Sequence, residues 1–387
     1  MNVEKNIKNN NSTSKILFLV FFIIVVVFIT ARYATDEEFR SLININVFKK
    51  EVSESTLNKI EIDLASNSNI FAYDKYIAVL NKNKLSEYTS DGKKIAELDI
   101  NISVPLVDRK GKYMVIAEKE GHKLYLISGA NILWSNTVEG SIAEVNVNEN
   151  GFVSIIIKNT TYKSVIVFYD VSGVEQFRSY VSSNYATCTA ISTNNKYLAI
   201  GEVNYSGTIL KSYVKIISVE KAQTDPLNSI VYIYESENGE VITSINYHDK
   251  EYAICMFNSY VEKVGTSSNE RIYNITENDM FVDINLRDSI AIIDKQSSGL
   301  FSYEYEILIK NSTNKSEYLY ILNSDLPKSL TISSGNMALN LGNEVQIVNS
   351  NGWLLKKYIS ENQIKNVVIG NSIVGIIYKN KIEIIEL

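Results

Sequence analysis

Two histidines, His122 and His248, and two cysteines, Cys188 and Cys255, are all that a chain of 387 residues offers to imidazole or thiolate chemistry. Most proton-shuttle and metal chemistry is built on histidine, so this chain holds few of the parts. No CxxC or Cys/His spacing suggests zinc, and two cysteines cannot staple a chain of this size. They are expected to be small buried core residues, Cys188 in an innermost strand and Cys255 in the second strand of the next unit. The run Asn146-Val-Asn148-Glu-Asn150-Gly151 imitates the opening of a calcium loop. Its first three ligand positions are neutral and its twelfth is Ile157 where a bidentate Glu is needed, so it reads as a hairpin turn. The carboxylates are many but scattered, and no pair stands where a general acid and base would. There is no GxSxG elbow, no phosphate loop and no GxGxxG fingerprint. The expectation is therefore no catalytic residue, no cofactor, no metal ligand and no enzyme.

Charge and composition narrow the partners. Lys and Arg number 38 against 44 Asp and Glu, a net charge of −6, with no basic run outside the first 15 residues. That balance argues against nucleic acid. Hydrophobic residues make up 45% of the chain, enough for a large core.

Ile16 to Ala31 (ILFLVFFIIVVVFITA) is free of charge and almost wholly apolar. Sixteen helical residues reach about 24 Å, short of a hydrocarbon slab of about 30 Å, with Lys15, Arg32 and Tyr33 placed to cover the deficit at the interfaces. Lys5, Lys8 and Lys15 precede the segment, while Asp36, Glu37 and Glu38 follow it. The expected order is a cytoplasmic tail at 1–15, one transmembrane helix at 16–31, a stalk at 32–56 and an exported body at 57–387. A cleaved signal peptide is the rival, with Ile29-Thr30-Ala31 as its best cleavage site. Thr35-Asp36-Glu37-Glu38 reads as a capping box with Thr35 as N-cap, opening a short helix to about Phe48.

From Leu57 onward, short β-branched or aromatic runs alternate with Asn, Asp, Gly, Ser and Lys, as in Tyr76–Leu80, Val153–Ile157 and Ile373–Tyr378. Such runs are strands by length, branching and bounding turns. They group into units of four, and the turn before the fourth strand carries glycine at Gly92, Gly129, Gly173 and Gly352. First strands beginning near 69, 103, 142, 186, 241, 280, 328 and 363 divide the body into eight units of about 41 residues, the length of a four-stranded propeller blade. Loop insertions are expected at Asn204–Lys211 and Lys221–Asn228. The last unit offers three strands, and Asn58–Leu64 (NKIEIDL) can supply the fourth, closing the ring without an open edge. The predicted fold is thus an all-β, eight-bladed propeller, seven blades being the alternative. Trp134 and Trp353 are expected to pack between blades.

Asp91-Gly-Lys-Lys-Ile95, Val147-Asn-Glu-Asn-Gly-Phe-Val153, Tyr162-Lys-Ser164 with Val167-Phe-Tyr-Asp170, and Ile191–Ile200 carry a resemblance. In these stretches the chain resembles an uncharacterised family of membrane-anchored β-propeller proteins of low-GC Gram-positive bacteria, with propellers of WD40 or quinoprotein type. The resemblance implies the fold and the anchor, and it brings no catalytic residues. The expected function is a non-enzymatic extracytoplasmic scaffold on the cell membrane that holds another envelope or membrane protein. The alternative is a propeller that binds a small ligand or a cell-wall glycan through aromatics such as those of Tyr205–Tyr213.

Overall fold

The computed structural model describes residues 10–43, 47, 52, 57–62, 69–81, 83–297, 303–322 and 326–387. Helix α1 (Asn10–Thr35) is longer than the expected segment, and its stretch Lys15–Thr35, whose most apolar 18 residues have mean hydropathy 2.7, is long and apolar enough to cross a membrane. The extra turn survives two threonines because their hydroxyls bond inside the helix, Thr30 Oγ1 to Val26 O (2.8 Å) and Thr35 Oγ1 to Ala31 O (2.9 Å). At about 1.5 Å per residue the stretch spans about 31 Å, so the expected shortfall disappears.

The same captured hydroxyl corrects the predicted cap. Helix α2 (Glu37–Leu42) is capped by Asp36, whose Oδ1 accepts from Phe39 N at 3.0 Å, while Thr35 ends α1. The expected continuation to Phe48, and most of the stalk, lie outside the described residues. Val52 is described: its N donates to Lys357 O at 3.0 Å and it bridges Tyr358 in parallel.

Among the described residues, thirty-two strands form eight sheets of four, every pair antiparallel. We number these blades 1 to 8 in chain order. Their inner strands are Asn69–Tyr73, Pro105–Lys110, Ser141–Val147, Tyr185–Ile191, Ile242–Tyr247, Asp279–Asp283, Ser329–Ser333 and Asn366–Ile369, each starting within three residues of its predicted position. The second strands are buried on both faces, as in Tyr113–Glu118 and Ile373–Ile377, and so read as continuous apolar runs. Outer strands alternate, as in Asn131–Thr137, because one face meets water.

Blade 8 takes its fourth strand from the front of the body. Asn58–Glu61 pairs antiparallel with Lys381–Glu386, Ile60 opposite Ile382, beside Ile373–Ile377 and Asn366–Ile369. The closing strand ends at Glu61, and the remainder of its predicted length, to Leu64, falls mainly outside the described residues. The buried apolar side chains form eight clusters, and each lies at one junction between neighbouring blades. The cluster at the seam joins Ile60, Ile382 and Ile384 to Ala72, Ile77 and Val79. The core of this protein is therefore a ring of interfaces.

The turn glycines have the backbone that the sequence requires of them. Gly173 has φ +82° and Gly352 φ +74°, where a Cβ is strained. Asp170 Oδ1 accepts from Ser172 N and Val174 N, and Asn349 Oδ1 accepts from Asn351 N and Trp353 N, fixing both turns. Trp134 packs between blades as expected: its Nε1 donates to Val171 O (3.1 Å), and its ring lies 5.7 Å from that of Tyr169. Trp353 is about half exposed, and the backbone of its neighbour Gly352 closes on Leu319 of blade 6.

The insertion at 204–211 is the loop of a long hairpin, Tyr197–Asn204 to Lys211–Ser218. That at 221–228 is not plain loop. It contains α3 (Val219–Thr224), capped by Ser218, and a 3₁₀ turn at Pro226–Asn228. Val219 and Ala222 seal the junction of blades 3 and 4, a tertiary reason for helix that a six-residue pattern cannot display.

Candidate functional site

Successive antiparallel strands put their connections alternately on two faces of the ring. On the face that carries the turns from first to second strands, the inner strands enclose a cavity of about 200 Å³ lined from all eight blades. Polar residues at the ends of β-branched strands decorate it. Asp108 Oδ2 accepts from Val147 N (2.8 Å) and Asn146 Nδ2 (3.0 Å), buckling blade 2 to blade 3. Arg109 Nη1 donates to Ala72 O of blade 1 at 2.8 Å. Lys110 Nζ donates to Asn246 Oδ1 of blade 5 at 2.9 Å, and Asn246 Nδ2 passes the connection on to Ile284 O of blade 6. Three consecutive residues thus reach three different blades, one of them across the central cavity.

Burial shifts the titration of this lining. It pulls the Lys110 amine below its ordinary value, against the opposing charges of Asp108, Glu149 and Asp283. In blade 3 a bulge between Ile142 and Glu144 turns the glutamate toward blade 4, where it accepts from Thr189 Oγ1 at 3.0 Å. Burial, aided by the charge of Asp108, carries the Glu144 carboxyl from 4.5 up to about 8. At the junction of blades 1 and 2, burial likewise takes the Glu87 carboxyl to about 7, although the Tyr73 hydroxyl donates to it.

His248 and Ser312 imitate a base and nucleophile, with Nδ1 to Oγ at 2.9 Å. Both are already committed. His248 Nε2 donates its proton to Ile284 O (2.7 Å), which leaves Nδ1 to accept from the Ser312 hydroxyl, itself 3.1 Å from Asp288 O, so the pair ties blade 5 to blade 6. Burial pushes the imidazole down to about 4, keeping it neutral. Cys188 and Cys255 lie buried in the cluster between blades 4 and 5 as free thiols. Asn148, from the calcium-like run, folds a turn instead: its Oδ1 accepts from Asn150 N and Phe152 N. Among the described residues, no group of three or more His, Cys, Asp or Glu could hold a metal ion.

A pH dependence follows from Glu144 and His248. Between pH 4.5 and about 8 the native Glu144 keeps a proton that the unfolded chain has lost, so stability falls as pH rises through that window. Native His248 stays neutral between 6.5 and about 4 while the unfolded imidazole takes up a proton, so its contribution falls as pH drops. The expected melting temperature is highest near pH 5 to 6 and declines on both sides. Glu144→Gln should make the alkaline limb shallower, leaving the part below about pH 7 that Glu87 contributes, while changing little at pH 5; a limb of unchanged slope in that variant contradicts the assignment.

On the opposite face a second cavity, of about 340 Å³, opens between blades 3 and 4 beside Tyr162 and Tyr185. Of the aromatics anticipated in Tyr205–Tyr213, Tyr205 stacks on Tyr185 here, while Tyr213 is a half-buried strand residue of Lys211–Ser218. Sequence reasoning did not single out Asp108, Lys110, Glu144 or Asn246. The one available signal was the charged run Asp108-Arg109-Lys110 ending a strand whose type calls for β-branched residues.

No curated protein matches the chain. Among solved structures it is similar to BamB from Moraxella catarrhalis, with TM-score 0.48 and 12% identity over 87% of this chain and 99% of that one. It is also similar to the Cps50 (Swd1) beta-propeller domain of Myceliophteria thermophila, at 0.45 and 10% over 86% and 99%. A third likeness is to hydrazine synthase of Kuenenia stuttgartiensis, at 0.44 and 9% over 87% and 99%. Residues 48–387, which hold the whole ring, match the model of DUF5711, described as a family of unknown function, and the chain belongs to that family.

Proposed function

We propose that this is a single-pass membrane protein whose propeller stands outside the cytoplasm as a non-enzymatic scaffold for another envelope or membrane protein. The observation that carries this is the ring itself: eight cemented junctions and a zipped seam make a rigid body, yet large apolar side chains remain uncovered on outer strands. On Glu317–Leu322 of blade 6, Leu319 is 51% and Ile321 56% exposed, two residues apart on one face. An uncapped edge strand with apolar side chains is a template for a partner, and soluble proteins normally blunt it. The lysines before α1 support a cytoplasmic N-terminus, and the hydropathy of Lys15–Thr35 supports an anchor.

Photo-crosslinking residues placed at Leu319, at Ile233 and in loops on both faces of the full-length protein test this in cells. The expected result is one reproducible protein adduct at a subset of positions, diminished by Ile321→Glu. Probes at every position that yield no reproducible protein adduct overturn the reading.

A further inference from the structure

The cavity between blades 3 and 4 has the build of a carbohydrate site. Tyr162 and Tyr185 line it, and each is backed by a second tyrosine. Tyr162 packs on Tyr180 with ring centroids 4.7 Å apart, and Tyr185 stacks on Tyr205 at 4.7 Å with 17° between planes. Tyr162, Tyr180 and Tyr205 are 36%, 56% and 54% exposed, a concentration of open aromatic rings on one rim. The floor is apolar, from Ala143, Ile156 and Ala186. Around the mouth stand Asn159, Thr160 and Thr161.

The arrangement is held before any ligand arrives. Asn159 Oδ1 accepts from Thr161 N (2.8 Å) and Tyr162 N (3.2 Å), fixing the loop that carries the first pair. Lys163 fixes the second: its Nζ donates to Ser183 O at 2.9 Å and lies 4.9 Å and 5.7 Å from the centroids of Tyr185 and Tyr205. Lys158 is paired with Glu120. Both cations at the site are therefore spent on the protein, and the surfaces left for a ligand are flat rings, an amide and hydroxyls.

We propose that this cleft binds a neutral oligosaccharide, with pyranose rings laid on the tyrosine faces and sugar hydroxyls bonded to Asn159, Thr160 and Thr161. A pyranose offers an apolar C–H face edged by hydroxyls, which matches rings that bury area at little entropic cost beside small polar groups. An acyl chain needs a continuous apolar lining, which this mixed wall lacks. The net charge of −6 disfavours a nucleic acid. The site is independent of the scaffold role, and each has its own readout.

The test titrates the full-length protein in detergent with tetrasaccharides of glucose, mannose and N-acetylglucosamine, read by saturation-transfer NMR and tyrosine fluorescence. At least one is expected to bind, and Tyr205→Ala and Tyr162→Ala should each weaken it about tenfold with unchanged melting temperature. Trp353→Ala, an exposed aromatic on another blade, should leave binding intact. Failure of all three sugars to bind, binding indifferent to both tyrosines, or selection of extended peptides instead of sugars overturns the proposal.

Discussion

Ile60→Asp destabilises the propeller by on the order of 3–5 kcal/mol, although the residue lies in a four-residue strand at the front of the body. Ile60 is 3% exposed and packs against both walls of the junction between blades 8 and 1. A carboxylate there is an unpaired buried charge, and it also unzips the strand that covers the outer edge of Lys381–Glu386. Ile60→Ala, which removes volume alone, should cost about 2–4 kcal/mol. Glu61→Ala, on the exposed side of the same strand, should stay within about 0.5 kcal/mol. Urea denaturation followed by circular dichroism checks the series, and near-equal midpoints for Ile60→Asp and wild type would remove the seam from the account.

Glu383→Ala comes second. This carboxylate is fully buried, opposite Lys59 in the seam register. It accepts from Tyr358 of blade 7 at 2.5 Å and from Lys381 Nζ at 2.6 Å, and Lys59 Nζ lies 3.3 Å away. Tyr358 also meets the hydroxyl of Tyr378, which donates to Ser360. One anion therefore organises donors from blade 7, blade 8 and the closing strand. Its removal leaves the tyrosine hydroxyls and ammonium groups facing a hole, at a cost of about 3–5 kcal/mol. Burial alone would raise this carboxyl, but the Lys381 ammonium and the Tyr358 hydroxyl outweigh it and hold it below its ordinary value. A depressed value means that the contribution is complete above the unfolded value and is lost as pH falls through the folded one. The gap in melting temperature between wild type and Glu383→Ala should accordingly narrow on acidification. A gap that stays constant from pH 7 to pH 3 contradicts the charge network.

The repeat was legible because each blade writes the same physics in the same order. A strand buried on both faces must be a continuous apolar run, and a tight turn needs an Asx side chain and a glycine at positive φ. Residues such as Val153–Ile157, Asp170 and Gly173 satisfy those demands locally. The closing strand was legible by arithmetic, since three strands at one terminus and one at the other complete a sheet. What stayed hidden depends on distant partners. Glu144 faces Thr189 only because a bulge turns it, Lys110 meets Asn246 across 136 residues of chain, and α3 is helical because Val219 and Ala222 seal a junction. At the tyrosine cleft, Tyr205 stood out as an inserted aromatic, whereas its partner Tyr185 and the ring pair on blade 3 belong to segments that look like ordinary strand ends and turns.

Closure of the ring can be tested with one disulfide. Ile62 N bonds to Asn380 O, so the alternating ladder makes Glu61 and Lys381 a non-hydrogen-bonded pair, whose side chains approach closely enough for a disulfide. The double variant Glu61→Cys, Lys381→Cys should oxidise under mild conditions to one intramolecular crosslink. That crosslink should shift gel mobility, be identified by peptide mass spectrometry, and fail to form in urea. Two thiols that remain free and label readily in the folded protein would show that the ends of the propeller do not meet.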